Sequence, residues 1–334
     1  MNGSSHPRPA FIITIDVEAD DQWSRSSTVT TENAKHLPRF QSLCEKHGMR
    51  PTYLTEWAMA QDPVFQEFGA SVVDRDAGEI GMHLHSWTTP PSVPLTSMDH
   101  VHHPFLIEFP ENVIREKVRM ATEVLEDMFQ VSMVSHRAGR WALDERYAKI
   151  LVEHGYLVDC SVTPHVSWSG NRGAPAGRGP RDYSDFPRNA YFVDLECIGR
   201  EGDSPLLEVP MTIVPSPWRQ SWKGVDRLIS RSSTAKRLMN RVSPEVKWMR
   251  PDGRNRTDLL RIAAQAPAAA CDHVEFMLHS SEMMPGGSPY FRTGRSIEGL
   301  FDDMEELFEF AAERFQPLTL AEYHARISQA AGRR

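Results

Sequence analysis

Residues 11–21 read FIITIDVEADD. The first seven form an almost unbroken apolar run, the pattern of a short strand buried on both faces. The carboxylates arrive only where that strand should end. Asp16 and Glu18 are two residues apart, so on extended backbone both point to the same side. Asp20 and Asp21 lie beyond the expected strand end, where a helix cap or a solvated loop is the simplest use for them. An acid that directly follows a buried apolar run is a candidate for chemistry.

Working outward, the same unit recurs. Residues 32–47 predict a helix with Leu37, Phe40, Leu43 and Cys44 on one face and Gly48 as its stop. A strand is expected at 51–57, a short helix before Gly78, and a strand at 79–85 (EIGMHLH). In 111–129, Ile114, Val118, Ala121, Leu125 and Met128 recur at helical spacing. A strand at 131–135, a helix at 143–154 and a strand at 156–160 repeat the unit. Further strands are expected at 190–196, 206–213 and 273–279, and helices at 224–240, 257–265 and 297–315. Alternating strands and helices imply an α/β fold with a parallel sheet, open or closed into a barrel. The notable polar residues Asp16, His83, His85, Asp159 and His279 fall at strand C-termini, where such folds place their chemistry. Segments 88–110 and 170–188 predict long loops over those ends.

The chain has 334 residues, 40% apolar and 25% charged, which fits one large folded unit over 1–334 and excludes wholesale disorder. FIITI at 11–15 is far too short to span a bilayer, and MNGSSHPRPA at 1–10 has no secretion-signal core, so a cytoplasmic location is expected. Cys44, Cys160, Cys197 and Cys271 are scattered without C-x-x-C pairing, which excludes a disulfide framework or a thiolate knuckle. The net charge of −8 hides an asymmetry, because residues 216–261 carry twelve Lys/Arg against four acids. That stretch reads as a basic, largely helical insertion able to meet phosphate or an anionic membrane surface, or else as a solvated helical face. Nucleic acid is not expected, for no recognition motif is present.

Three further clusters carry chemistry. His83 and His85, at i and i+2 on a strand end, can present both imidazoles to one side. With a carboxylate they make a two-His, one-carboxylate metal set with open positions. His100, His102 and His103 form a rival cluster in a Pro-bounded loop. SHRAGRW at 135–141 offers Arg137 and Arg140 for carboxylates or an anionic substrate, and Trp141, with Trp168 later, offers a flat face for a sugar ring. VDCSVTP at 158–164 and EFMLHSSEMMPGG at 275–287 place an Asp and a His at two strand ends, a carboxylate–imidazole pair in prospect.

In this order, an Asp near the N-terminus, a strand-end His, R-x-x-x-aromatic, D-x-S and a late L-H, the sequence resembles the polysaccharide deacetylases, the NodB-homology group of carbohydrate esterases. The resemblance covers roughly residues 11–285. It implies a distorted (β/α) barrel and metal-dependent removal of acetyl groups from sugars. It assigns Asp16 as catalytic base, Arg137 as its tether, Glu18 and His83 as metal ligands, and His279 as general acid oriented by Asp159. The usual T-F-D-D is T-I-D-V here and the usual H-x-x-x-H is absent, with Trp87 in its fourth position, so His85 takes the second imidazole place. The usual R-x-P-[YF] is R-A-G-R-W. A divalent ion is expected, zinc first, with nickel, cobalt or iron as other candidates. The expected substrate is an N-acetyl sugar of a surface glycan or of its lipid- or nucleotide-linked precursor, bound by Trp141, Trp168 and Arg140. A cyclic imide or ureide hydrolase of the same fold, or a glycan-binding relative without catalysis, are the alternatives.

Overall fold

A computed structural model describes residues 8–20, 23, 28–177, 179–216, 245–269 and 271–332. Among these residues the strands are β1 (Ala10–Val17), β2 (Thr52–Thr55), β3 (Glu79–Leu84), β4 (Ser135–Ala138), β5 (Val158–Asp159), β6 (Tyr191–Asp194), β7 (Cys197–Glu201), β8 (Leu207–Glu208), β9 (Ile213–Pro215), β10 (Val246–Trp248), β11 (His273–His279) and β12 (Gln316–Pro317). The main helices are α1 (Leu37–Lys46), α2 (Pro63–Asp74), α3 (Glu111–Phe129), α4 (Glu145–Glu153), α5 (Arg256–Gln265), α6 (Gly294–Arg314) and α7 (Leu320–Ala330).

The principal sheet runs β11-β1-β2-β3-β4-β5-β8-β6-β7, with β12 beside β1. From β11 to β8 every pairing is parallel, and β6 and β7 add an antiparallel edge. The gap between β8 and β11 is spanned by irregular chain. Glu275 N donates to Thr212 Oγ1 (2.8 Å), Met277 N to Met249 O (3.2 Å) and Met249 N to Thr212 O (2.9 Å). Backbone groups that a regular strand would have paired are thus satisfied by a bent one. The result is a distorted (β/α) barrel, as the family resemblance implied.

The pleat of β1 divides the core. Phe11 packs edge-on against Phe308 of α6 at 6.1 Å, outside the barrel. Ala10 and Ile12 point inward, clustering with Leu54, Val158, Leu207 and Val209 and with Leu320 and Tyr323 of α7. That plug closes the N-terminal end of the barrel. One step further along the same inward face come Thr14, Asp16 and Glu18, all buried. The barrel is therefore apolar at one end and polar at the other.

Two expectations need correction. The strand placed at 131–135 starts at Ser135, because Met133 N is drawn to Glu126 Oε1 of α3 (2.9 Å) instead of a ladder. That shift puts Arg137 inside a strand rather than in the loop after it. The strand expected over 206–213 is broken into β8 and β9, with Pro210, which has no N–H, between them. Within the basic stretch, Val246–Trp248 form β10, which pairs antiparallel with β9, and the helix expected at 257–265 is α5. The helix expected at 224–240 lies outside the described residues. No helix among the described residues is long and apolar enough to cross a membrane.

Candidate active site

The polar end of the barrel is organised by Arg137. Its backbone lies on β4 and its side chain is wholly buried. Nη1 donates to Asp16 Oδ1 (2.5 Å), Nη2 to Thr14 Oγ1 (2.8 Å) and also to Glu275 Oε1, and Nε to Cys160 O (3.1 Å). Burial pushes the Asp16 carboxyl up, but the guanidinium beside it, with His83 and His279, outweighs burial and holds it below the usual range. Asp16 is therefore an ionised carboxylate fixed by one oxygen. Its other oxygen lies 4.0 Å from His83 Nε2 and 3.9 Å from His279 Nε2.

Glu18, His83 and His85 bring one ligand atom each within 4.8 Å of one another, and all three are buried. His83 Nε2 is 2.8 Å from His85 Nε2 and 3.4 Å from a Glu18 oxygen, which is 3.1 Å from His85 Nε2. His83 Nδ1 sits 3.0 Å from the Arg137 carbonyl, an acceptor that fixes the proton on Nδ1 and turns the Nε2 lone pair into the cleft. Two imidazole nitrogens and a carboxylate converging in this way fit a divalent cation with open positions. Gly139 makes room for the second imidazole, since a Cβ there would stand 2.5 Å from Leu84 O and 3.2 Å from the His85 ring. Asp20 takes no part: it accepts from Glu32 N, Asn33 N and Asn33 Nδ2, capping the turn at 32–36. Asp21 lies outside the described residues. The loop histidines make no such cluster among the described residues, and His103 instead stacks on Trp87 at 4.2 Å.

A cavity of about 150 Å³ opens above these groups, walled by Trp23, Trp87, His103, Ala138, Arg140 and Trp141, with His279 on its edge. Arg140 and Trp141 both have positive φ, 56° and 61°, strain that sets the wall at this turn. Arg140 lines the cavity while its guanidinium donates to His103 O and to Arg172 O (3.0 Å), tying two loops together. Trp141 faces the cavity. Trp168 is set back from it, packed on Trp248 at 6.4 Å with Nε1 donating to Thr163 Oγ1 (2.8 Å).

The expected pairing of Asp159 with His279 is not what forms. Asp159 Oδ1 accepts from His136 Nδ1 (2.6 Å), and Ser161 N donates to Oδ2 (2.9 Å). Because Arg137 points into the barrel, its neighbour His136 points out, and Asp159, paired to it in register, goes with it. His279 Nδ1 meets Glu282 instead, at 3.1 Å. Glu282 and Glu275 were both missed in the sequence, although each lies within EFMLHSSEMMPGG. The i to i+3 spacing of His279 and Glu282 across a tight turn was the available signal.

Arg137 inside, histidines at strand ends and a closed apolar plug define a fold seen before. A candidate glycoside hydrolase/deacetylase from Parabacteroides distasonis superposes with a TM-score of 0.60, at 11% identity over 97% of this chain and 71% of that one. A Mycobacterium smegmatis protein provisionally assigned as a polysaccharide deacetylase gives 0.55, at 15% identity over 99% and 94%. The 4-alpha-glucanotransferase of Thermococcus litoralis gives 0.51, at 12% identity over 96% of this chain and 41% of that one. No protein-family model and no curated protein matches the sequence. The chain has the polysaccharide deacetylase fold, a distorted barrel.

Proposed function

We propose that the protein is a metal-dependent hydrolase that removes an acetyl group from an N-acetyl sugar of a surface glycan or its lipid- or nucleotide-linked precursor. The observation that carries this reading is the convergence of Glu18, His83 and His85 beside Asp16, held by Arg137, and His279 on the neighbouring strand. Glu18, His83 and His85 would hold the divalent ion, zinc first. When bound, such an ion polarises an acyl carbonyl and makes a neighbouring water more acidic.

The residues supply the rest. Asp16, ionised and fixed by Arg137, takes a proton from the attacking water. His279 Nε2, 3.9 Å from Asp16 and carried by the neighbouring strand β11, gives a proton to the departing nitrogen. The small cavity suits an acetyl group, with the sugar ring at its mouth against Trp141, Trp23 or Trp87. The basic residues of 216–261 would meet the phosphate of a lipid- or nucleotide-linked precursor, in which case neutralising Arg231, Arg237 and Arg241 removes the salt dependence of binding.

The test is acetate release from N-acetylglucosamine oligomers by zinc-loaded protein, wild type against Asp16→Asn. Release that disappears in the variant, with the melting temperature kept, supports the assignment. Equal rates in the two proteins, or zinc-loaded wild type that binds the oligomer without releasing acetate, would sink it.

A further inference from the structure

We propose that Glu282, not Asp159, is the positioning carboxylate that makes His279 a general acid. The inference rests on the deacetylase reading above. It follows from how β11 ends. His279 is still extended (φ −93°, ψ 145°), and the chain turns at once into the 3-10 turn Ser280–Met283, which carries the side chain of residue 282 back over residue 279. Glu282 Oε2 accepts from the backbone N of His279 (3.0 Å) and from its Nδ1 (3.1 Å). The backbone bond places the carboxylate whatever the ring does, so the imidazole finds its acceptor already fixed. Glu282 Oε1 accepts from Arg250 Nη2 (3.0 Å), and the side chain is fully buried. Both oxygens are held from opposite sides.

This arrangement decides which ring nitrogen works. With Nδ1 donating to Glu282, Nε2 is turned to the cleft, 3.5 Å from Glu18 and 3.9 Å from Asp16. Trp23 packs edge-on against the ring at 5.3 Å and limits its tilt. A carboxylate on Nδ1 orients the ring and stabilises the imidazolium it must become. Asp159 has no oxygen to spare, being held by His136 and Ser161 on the outer side of the sheet.

The role has a chemical signature. Water adds to the acetyl carbon as one of its protons passes to Asp16. The carbon–nitrogen bond then breaks, its electron pair leaves with nitrogen, and nitrogen takes the Nε2 proton of His279 as the carbonyl of acetic acid re-forms. The proton on Asp16 returns to solvent and His279 is reprotonated, which restores the pair. An amine cannot leave without that proton, whereas a nitrophenolate can. A Glu282 that served only to cap the turn would affect both substrates alike.

The zinc-loaded enzyme is therefore assayed on N-acetylglucosamine oligomers and on 4-nitrophenyl acetate, as wild type, Glu282→Gln and Arg250→Gln. Gln keeps an acceptor for the backbone N–H and removes the charge. The expected result for Glu282→Gln is a kcat lower by about 10²-fold on the oligomer, the usual scale of proton-transfer catalysis, with KM held and the aryl ester changed by only a few-fold. Arg250→Gln, which loosens the same carboxylate from its far side, should show the same pattern more weakly, and it carries the test should Glu282→Gln not fold. Equal losses on both substrates, or an unchanged oligomer rate in an active enzyme, overturn the proposal and leave the deacetylase reading standing. A wild type inert on the oligomer overturns both.

Discussion

Two of the molecule's histidine–carboxylate pairs, His136–Asp159 and His279–Glu282, are built from similar parts, one on each side of the same sheet. In His136–Asp159 both members are wholly enclosed, and the far nitrogen of the ring is tied to Tyr147 Oη at 2.6 Å. In His279–Glu282 the histidine keeps 14% of its side chain exposed and its far nitrogen faces the cleft. Burial lowers the pKa of His136 by more than Asp159 restores, so its imidazole is neutral and bridges two neighbours. Behind it, burial and Asp159 push the Glu208 carboxyl well up, and it keeps its proton to share with Asp159. Such a pair is chemistry only where one nitrogen is left for a substrate. Where every lone pair is used, it is a strut.

The largest effect that tests this contrast is on the metal. The His83→Ala, His85→Ala double variant should lose the roughly one divalent ion per chain expected of wild type, seen by elemental analysis, and with it all acetate release. Metal retained in the variant would move the site elsewhere.

Next, the two histidines should part company. His279→Ala is expected to lower kcat by about 10²–10⁴-fold with the fold intact. His136→Ala is expected to lower the melting temperature and leave turnover per folded molecule near wild type. Similar kinetic losses in both would erase the distinction drawn here.

A third effect concerns Glu275, which shares Arg137 with Asp16. Burial outweighs Arg137 and His273 and pushes its carboxyl up to about 7 from 4.5. The folded state therefore binds this proton more tightly than the unfolded one, and stability falls as pH rises from about 4.5 to about 7, by up to ~3 kcal/mol, then levels off. Urea midpoints of Glu275→Gln should lack that slope. A variant with the wild-type slope would show that another group titrates.

The smallest is Asp159→Asn, which trades an ionised acceptor for a neutral amide among His136, Ser161 and Glu208. It should cost about 1–3 kcal/mol of stability, the scale for a disturbed buried hydrogen-bond set, with kcat little changed. A large kcat loss at unchanged stability would return Asp159 to the catalytic machinery.

Much of this architecture was legible in the chain. The helix at 111–129 matched Glu111–Phe129 because its apolar stripe is long and regular, and β1 and β11 were found because both are mostly apolar, with Glu275 as the one acid inside β11. The convergence of Asp16, Glu18, His83 and His85 follows from period-two alternation on two parallel strands. The strand at 135–138 was misplaced because VSMV at 131–134 has the composition of a strand, yet Met133 N turns to Glu126 and pairing begins at Val134 O, which accepts from Leu157 N and Val158 N; α7, which plugs the barrel, was not foreseen.

Sequence alone determined which residues stand at the strand ends and which residues of one strand share a face, since those are matters of local period and of where apolar runs stop. It also determined that acids, imidazoles and an arginine would be available at one end of a parallel sheet. Only the tertiary structure decided their partners. Asp159 and His279 each sit at a strand end, yet the pleat turns Asp159 outward to His136, and a single 3-10 turn brings Glu282 to His279. Pairing depends on the face to which a side chain is committed and on what reaches it first, and both are set by packing between segments far apart in the chain.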